Sequence, residues 1–312
     1  MLAHLIIYFL SFVGVWIGSG LAIKSVERLS RTLKVSSFAI SFITLGFFTS
    51  IGELSVGLNS IIKNDPEIYV GNLIGATIVI FMLIIPLLAI LGNSIRITPE
   101  FKGFNLAASL VVISLPVILA MDGRVGRTDS YSVLILFTLL LISIQSRRGL
   151  IEKLKSLTPK PNIRLGKELV KIIFGLATIF ISSRFIVEQT LYFSNLLNIS
   201  PFLISLMVIS LGTNIPELSL VIRSAFIRNH QIAFGNYVGS AAFNTFLLGL
   251  LTLIYGNTVY LTNSYLISLL FLIFGLIAFY YFARTKNTIS RLEGVFLLLI
   301  YIAFISTEII LH

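Results

Sequence analysis

Apolar residues run along this chain in long continuous blocks, broken by short clusters of polar and charged residues. The blocks do not alternate apolar with polar, so they predict helices rather than the strands of a β-barrel. Ten blocks are long enough to cross a bilayer. They lie at about 4–23, 36–62, 68–92, 104–121, 130–146, 169–187, 196–222, 232–256, 262–282 and 292–311. The expected class is an all-α polytopic membrane protein. The first block has no basic leader and no small-residue cleavage site, so it is read as a retained helix.

Two glutamates interrupt this pattern from within. Glu53 and Glu217 lie deep in the second and seventh blocks, each inside a copy of the same local sequence. One copy reads Thr49-Ser50-Ile51-Gly52-Glu53-Leu54-Ser55 and the other Thr213-Asn214-Ile215-Pro216-Glu217-Leu218-Ser219. A Gly-Asn pair follows each at the same spacing, Gly71-Asn72 and Gly235-Asn236. Shifting the chain by 164 residues aligns residues 35–75 with the second half without gaps, and many of the identities are polar. Five blocks per half is an odd number, so the second half enters the membrane upside down. The sequence therefore predicts ten transmembrane helices as two inverted five-helix repeats, residues 1–146 and 169–312, joined by a basic linker at 147–168. Such architectures place a substrate site at the repeat interface, near the membrane midplane.

Composition agrees with the membrane reading. The chain is 56% hydrophobic and 12% charged, with a mean hydropathy of +0.99, whereas a soluble domain carries about 25% charge. The net charge of +10 does not point to nucleic acid, because its distribution is one-sided. Nineteen of the 23 Lys and Arg residues fall in the loops after blocks 1, 3, 5, 7 and 9, counting Lys171 at the near edge of the sixth block. By the positive-inside rule those loops are cytoplasmic and both termini are outside. A plasma-membrane location, a monomer, and contact of the 147–168 loop with anionic lipid are the corresponding expectations. There is no cysteine, which excludes disulfides and thiol redox chemistry.

A carboxylate within a membrane is costly and marks a functional site by default. The candidate site is built around Glu53 and Glu217. Thr49, Ser50, Thr213 and Asn214 stand one turn before them, and Asn72 and Asn236 are further candidates. Pro216 and Gly52 supply the means to break blocks 2 and 7. A break frees carbonyl oxygens, with Gly46 and Ser210 the expected donors. All these ligands are oxygen, which suits a hard cation such as Ca2+. The histidines lie near block ends, so a transition-metal site is poorly supported. A structural reading competes: Ser50-x-x-Glu53 and Asn214-x-x-Glu217 both match a helix capping box. Gly71-x-x-x-Gly75 and Gly235-x-x-x-Gly239 read mainly as close helix packing. Glu188 and Glu308, near block ends, are expected to be solvated.

These paired motifs resemble the α-repeats of the cation/calcium exchanger superfamily, especially prokaryotic sodium/calcium exchangers. Members carry Thr-Ser-x-Pro-Glu followed by Gly-Asn-x-x-Gly-Ser-Asn-x-x-Asn/Asp. Thr213, Asn214, Pro216, Glu217, Gly235, Asn236, Gly239, Ser240 and Asn244 follow that pattern, with Asn214 in place of Ser and Ala241 in place of one Asn. The first repeat departs further, with Gly52 for Pro, Ala76 for Ser, Thr77 for Asn and Ile80 for the last Asn/Asp. The resemblance implies antiport of Ca2+ against Na+ by alternating access, with the two glutamates as shared ligands, nearby hydroxyls on Na+, and no further cofactor. Ser240 and Asn244 join the ligand set on this ground, and Asn244, where the potassium-dependent branch has an acid, argues against K+. The oxygens lost at Ala76 and Ile80 weaken at least one Na+ position and make a Ca2+/H+ or other divalent-cation exchanger the nearest alternative. A non-transporting sensor or scaffold is the alternative of another class. An intramembrane protease is disfavoured, since His-Glu-x-x-His and Gly-x-Gly-Asp are both absent.

Overall fold

The computed structural model describes residues 1–32, 46–97, 103–146, 165–218, 221, 230–261 and 266–311. In chain order these form α1 (Leu2–Thr32), α2 (Gly46–Thr49), α3 (Ile51–Ile62), α4 (Glu67–Val79), α5 (Ile85–Leu91), β1 (Ile95–Arg96), α6 (Phe104–Leu119), β2 (Arg124–Val125) and α7 (Arg127–Ser146). They continue as α8 (Leu165–Leu197), α9 (Pro201–Ile204), α10 (Ser210–Thr213), α11 (His230–Tyr255), β3 (Val259–Tyr260), α12 (Leu266–Lys286), β4 (Thr288–Ile289) and α13 (Arg291–Leu311). A π-helical turn, Ile80–Ile84, joins α4 to α5, and another, Ser205–Ile209, joins α9 to α10.

Among the described residues, eight helical spans are long and apolar enough to cross a membrane, and two shorter apolar stretches, Ile51–Ile62 and Pro201–Thr213, accompany them. The spans differ in what their surfaces meet. Glu67–Leu91 is 83% buried within the protein and Tyr237–Tyr255 78%, whereas Arg127–Ile144 and Arg291–Ile310 are each 28% buried. The first two are therefore central, and the other two present most of their surface to the surrounding lipid. A large core of buried side chains packs α4, α5, α6, α11 and α12 together; it includes Tyr69, Ile74, Phe81, Leu110, Phe243 and Phe279. A smaller one joins α1, α3, α8 and α9 through Phe12, Val15, Val56, Ile179, Ile186 and Ile204.

Small residues decide which helices touch. At the α1–α8 crossing a Cβ on Gly18 would lie 2.8 Å from the Gly175 carbonyl, and one on Gly175 would lie 2.7 Å from the Gly18 carbonyl. Backbone meets backbone there, the close approach that small residues allow in membranes. The packing role expected for Gly71 and Gly75 also holds. Added Cβ atoms would fall 2.4 Å from the Phe202 carbonyl and 2.1 Å from that of Leu206.

Several sequence expectations are corrected. The helices are longer than the apolar blocks: α1 continues to Thr32, and α8 spans Leu165–Leu197 rather than 169–187. The helix thus starts inside the predicted linker, whose remainder lies outside the described residues. Glu168 holds that start, accepting from Lys171 at 2.9 Å and from Arg28 of α1 at 3.2 Å. α7 begins at Arg127, where Asp129 accepts the Gly126 N–H at 2.7 Å. Glu308 is not solvated: it is 2% exposed and accepts a hydrogen bond from the Ser268 hydroxyl on α12. Glu188 is partly exposed but ion-paired, to Lys63 just after α3 at 2.8 Å and to Arg184 at 3.2 Å. Two antiparallel strand pairs were not expected. Ile95 and Arg96 pair with Ile289 and Thr288, and Arg124 and Val125 pair with Tyr260 and Val259.

Candidate ion-binding site

The backbone around each glutamate has the same interruption. Ser50 separates α2 from α3 with φ −82° and ψ 9°. Asn214 separates α10 from the helical residues 215–218 with φ −89° and ψ 9°. These angles fall in the sparsely used region between helix and strand. The breaks therefore precede Gly52 and Pro216 by two residues and do not fall at them. Pro216 sits in the first turn of the resumed helix, where its missing N–H removes no intrahelical bond. Gly52 serves proximity: a Cβ there would meet Val15 at 3.3 Å and Thr213 at 3.7 Å.

The capping-box reading fails at Ser50, whose side chain makes no cap hydrogen bond. Its hydroxyl instead meets the Ser240 hydroxyl on α11 at 3.2 Å. Other polar contacts also cross between the two copies of the motif. Asn214 Nδ2 donates to Glu53 Oε1 at 3.5 Å, and Thr213 Oγ1 to Asn72 Oδ1 at 3.4 Å. Thr213 is a further hydrogen-bonding neighbour of Glu53, and Thr49 of Glu217. Ser240 Oγ donates to Glu217 Oε1 at 3.5 Å. The two carboxylates are close enough for their charges to interact.

Burial is nearly complete. Glu53, Asn72, Asn214, Ser210, Ser240 and Asn244 are 0% exposed, Glu217 and Thr213 1%, Ser50 2% and Thr49 4%. Groups so buried normally satisfy their hydrogen-bonding capacity. Here Glu53 Oε2, Glu217 Oε2, Asn214 Oδ1 and both polar atoms of Asn244 have no partner among the described residues, nor does Asn72 Nδ2. Several of the contacts that do form are at the long limit for a hydrogen bond. Loosely held oxygens around two carboxylates are chemically suited to a hard cation. Among the described residues no third acid, histidine or cysteine joins the pair to form a metal-ligand cluster.

Ten of the twelve predicted site residues are thus buried, and nine of them lie at the two breaks or are linked to them by hydrogen bonds; the tenth, Asn244, is one turn beyond Ser240 on α11. The Ser210 carbonyl points as expected but is engaged, accepting from Asn214 Nδ2 at 2.8 Å and from Thr213 Oγ1 at 3.4 Å. Gly46 is the first residue of α2, with its surroundings outside the description. Asn236 belongs to α11, but its side chain lies outside the described part. Sequence reasoning missed Tyr237, which is fully buried and donates from its hydroxyl to the Glu217 carbonyl at 3.3 Å. The only signal was its place beside Asn236, since its counterpart in the first copy is the apolar Leu73.

The resemblance read from the motifs extends across the chain. A family profile described as sodium/calcium exchanger protein matches residues 3–144 and 167–309. The sodium/calcium exchanger MaX1 of Methanosarcina acetivorans is 25% identical, with 92% of this chain and 93% of that protein covered. The inner membrane protein YrbG of Escherichia coli is 26% identical, with 76% and 78% covered. Among solved structures, the sodium-calcium exchanger NCX_Mj soaked with Na+ and Sr2+ superposes with a TM-score of 0.69. Its sequence is 23% identical, and 97% of each chain is covered. This integral membrane protein belongs to the sodium/calcium exchanger family.

Proposed function

We propose that the chain is a secondary active antiporter that exchanges Ca2+ for Na+ by alternating access at a site between Glu53 and Glu217. Members of its family are transporters of inorganic cations rather than enzymes. In this reading the chain has ten membrane helices. The two short, broken ones carry the glutamates, and residues 1–146 and 169–312 form inverted halves in a plasma membrane with both termini outside. The positive-inside charge pattern and the matching breaks at Ser50 and Asn214 support it.

One observation carries the proposal. Two fully buried carboxylates, each just after a helix break, keep oxygens with no protein partner and no basic residue against them among the described residues. Two bare negative charges in a low-dielectric interior are strongly unfavourable unless a cation joins them. Bound Ca2+ or competing monovalent ions remove that cost, and the empty pocket resists the conformational switch, which makes exchange obligatory.

The test is Ca2+ flux in proteoliposomes with Glu53→Gln and Glu217→Gln. Each variant should fold, because Gln keeps the shape and one acceptor oxygen, and each should lose Ca2+ flux. Wild-type flux in either would refute the proposal.

A second reading keeps the fold and the site but uses protons as counter-ion. Ala76 and Ile80, both fully buried, are its support, because they offer no oxygen where the second copy has Ser240 and Asn244. Driving Ca2+ efflux with a Na+ gradient and, separately, with a pH gradient decides between the two.

A further inference from the structure

A cavity of about 640 Å³ lies where the loop between α6 and α7 meets the loop between α11 and α12. Its lining includes Asp122, Arg124, Arg127, Asp129, Gly256 and Tyr260. The β2–β3 pair frames it, with Arg124 opposite Tyr260, and the Leu261 N–H donates to the Gly123 carbonyl at 2.9 Å. The volume is that of a small-ligand pocket. The spans Phe104–Asp122, Arg127–Ile144 and Tyr237–Tyr255 each have an end beside it, so it sits at the level where a bilayer meets water.

The charges of the cavity fall into two kinds. Arg124 and Asp122 neutralise each other: Arg124 Nε donates to Asp122 Oδ2 at 2.9 Å, and the Arg124 N–H donates to Oδ1 at 3.1 Å. Arg127 and Asp129 are in no ion pair among the described residues. Arg127 donates to the Gly256 carbonyl from Nε at 3.2 Å and from Nη2 at 2.8 Å, which leaves Nη1 and the positive charge uncommitted. Asp129 accepts the Gly126 N–H on Oδ2 at 2.7 Å, which leaves Oδ1. Among the described residues the cavity therefore offers one cation and one anion, each steadied by backbone. Their complement is a zwitterion. A phosphate suits the guanidinium, and a primary ammonium donates to the carboxylate. A headgroup with a phosphate alone would leave Asp129 uncompensated.

The helix beyond the cavity narrows the choice of ligand. Arg127, Tyr131, Ile135 and Leu139 follow at four-residue steps on one face of α7. The last three are 57%, 59% and 55% exposed. From Tyr131 to Leu139 is about 12 Å along the axis, within the hydrocarbon depth of one leaflet, about 15 Å. Tyr131 and the exposed Tyr260 stand where interfacial aromatics do. A soluble ion has no use for such a stripe, whereas an acyl chain fits it.

We propose that this cavity binds the headgroup of one phospholipid that carries both a phosphate and a primary ammonium, with an acyl chain along the Tyr131–Leu139 face. The lipid braces α7 against α11. Arg127 opens α7 and Gly256 follows α11, and the two helices already touch where a Cβ on Gly249 would lie 2.6 Å from Val133 and 3.0 Å from the Ser130 carbonyl. The proposal is independent of the exchanger reading.

The experiment supplies the delipidated full-length protein in detergent with phosphatidylethanolamine, phosphatidylcholine or phosphatidylglycerol of matched chains. Native mass spectrometry counts retained lipid, and the thermal midpoint is read alongside. One phosphatidylethanolamine should be retained per chain at a concentration at least about tenfold below that needed for the other two, and should raise the midpoint. Arg127→Gln and Asp129→Asn each keep a group able to bond the backbone but lose the charge, and each should raise that concentration at least about tenfold. Arg284→Gln on α12, outside the cavity, should leave it unchanged. Equal retention of the three lipids by the wild type overturns the proposal, as does unchanged retention in either charge variant. The wild-type comparison decides even where a variant fails to fold. An equal rise in midpoint with soluble phosphoethanolamine also overturns it, because the occupant would then be a free zwitterion and not a lipid.

Discussion

Asn214 Nδ2 lies 3.5 Å from Glu53 Oε1, although the two residues belong to different copies of the motif and stand 161 positions apart. The same amide donates to the Ser210 carbonyl at 2.8 Å, which fixes its orientation and turns Oδ1 away from both bonds. Oδ1 has no partner among the described residues. In the proposed site Asn214 would steady one carboxylate with its nitrogen and offer its oxygen to the ion. Asn214→Ala removes both roles. A hydrogen bond to a charged group contributes about 1.5–3 kcal/mol, so the Ca2+ concentration for half-maximal flux should rise at least about tenfold. Asn214→Ser, which keeps an oxygen, should stay closer to wild type. The Ca2+ dependence of flux checks both.

The buried Asn244 side chain has no hydrogen-bond partner among the described residues. Asn244→Asp puts a third carboxyl group on the face of α11 that carries Ser240, one turn away. If residue 244 faces the ion path, the added acid should shift the Ca2+ concentration for half-maximal flux by at least about tenfold. The Ca2+ dependence of flux, measured against the wild type in the same vesicles, checks this; an unchanged dependence would place residue 244 outside the ion site.

Packing at Gly75 leaves no room for a side chain, with the Leu206 carbonyl 2.1 Å and the Ser210 hydroxyl 2.7 Å from where a Cβ would sit. Backbone cannot yield as a flexible side chain can. Gly75→Val should cost about 1–3 kcal/mol through forced separation of α4 from the second broken helix. A lower thermal midpoint in detergent checks this, and because Ser210 adjoins the site, Ca2+ affinity in the surviving fraction should fall as well.

Glu308 is buried far along the last helix and accepts from Ser268, outside the set of residues that meet at the two breaks. Glu308→Ala leaves the buried Ser268 hydroxyl without this acceptor, a loss of about 1–3 kcal/mol. Glu308→Gln keeps an acceptor and should be milder. Neither should alter the Ca2+ dependence of flux per folded molecule. Thermal unfolding combined with flux separates this structural role from a role in the ion path.

The duplicated glutamate frames were legible because polar residues inside apolar blocks have few structural explanations, and a shared frame removes most of them. Hydropathy located the helices but not their ends. α8 overshoots its apolar block at both ends, where Glu168 and Glu188 are neutralised by Arg28, Lys171, Lys63 and Arg184. A sequence window counts those charges against a helix and cannot see their partners. Glu308 was misread for the same reason, since its partner Ser268 lies on another helix. The breaks at Ser50 and Asn214 were attributed to Gly52 and Pro216, the residues with breaking tendencies. The actual positions follow from side chains that cross between the two halves. Nothing local in the sequence marks the π turns at Ile80–Ile84 and Ser205–Ile209.

The two small strand pairs carry a consequence for how the protein is made. Ile95 pairs with Ile289, and Val125 with Val259. Each joins a loop from early in synthesis to one that leaves the ribosome much later. Helices α1 to α7 must therefore wait in the membrane with β1 and β2 unpaired, exposing strand edges that only the end of the chain can cover. For the first part of that interval, until residue 214 has been made, Glu53 has no Asn214 beside it. A ribosome stalled before Thr288 would leave a chain that holds most of its helices yet keeps an open seam.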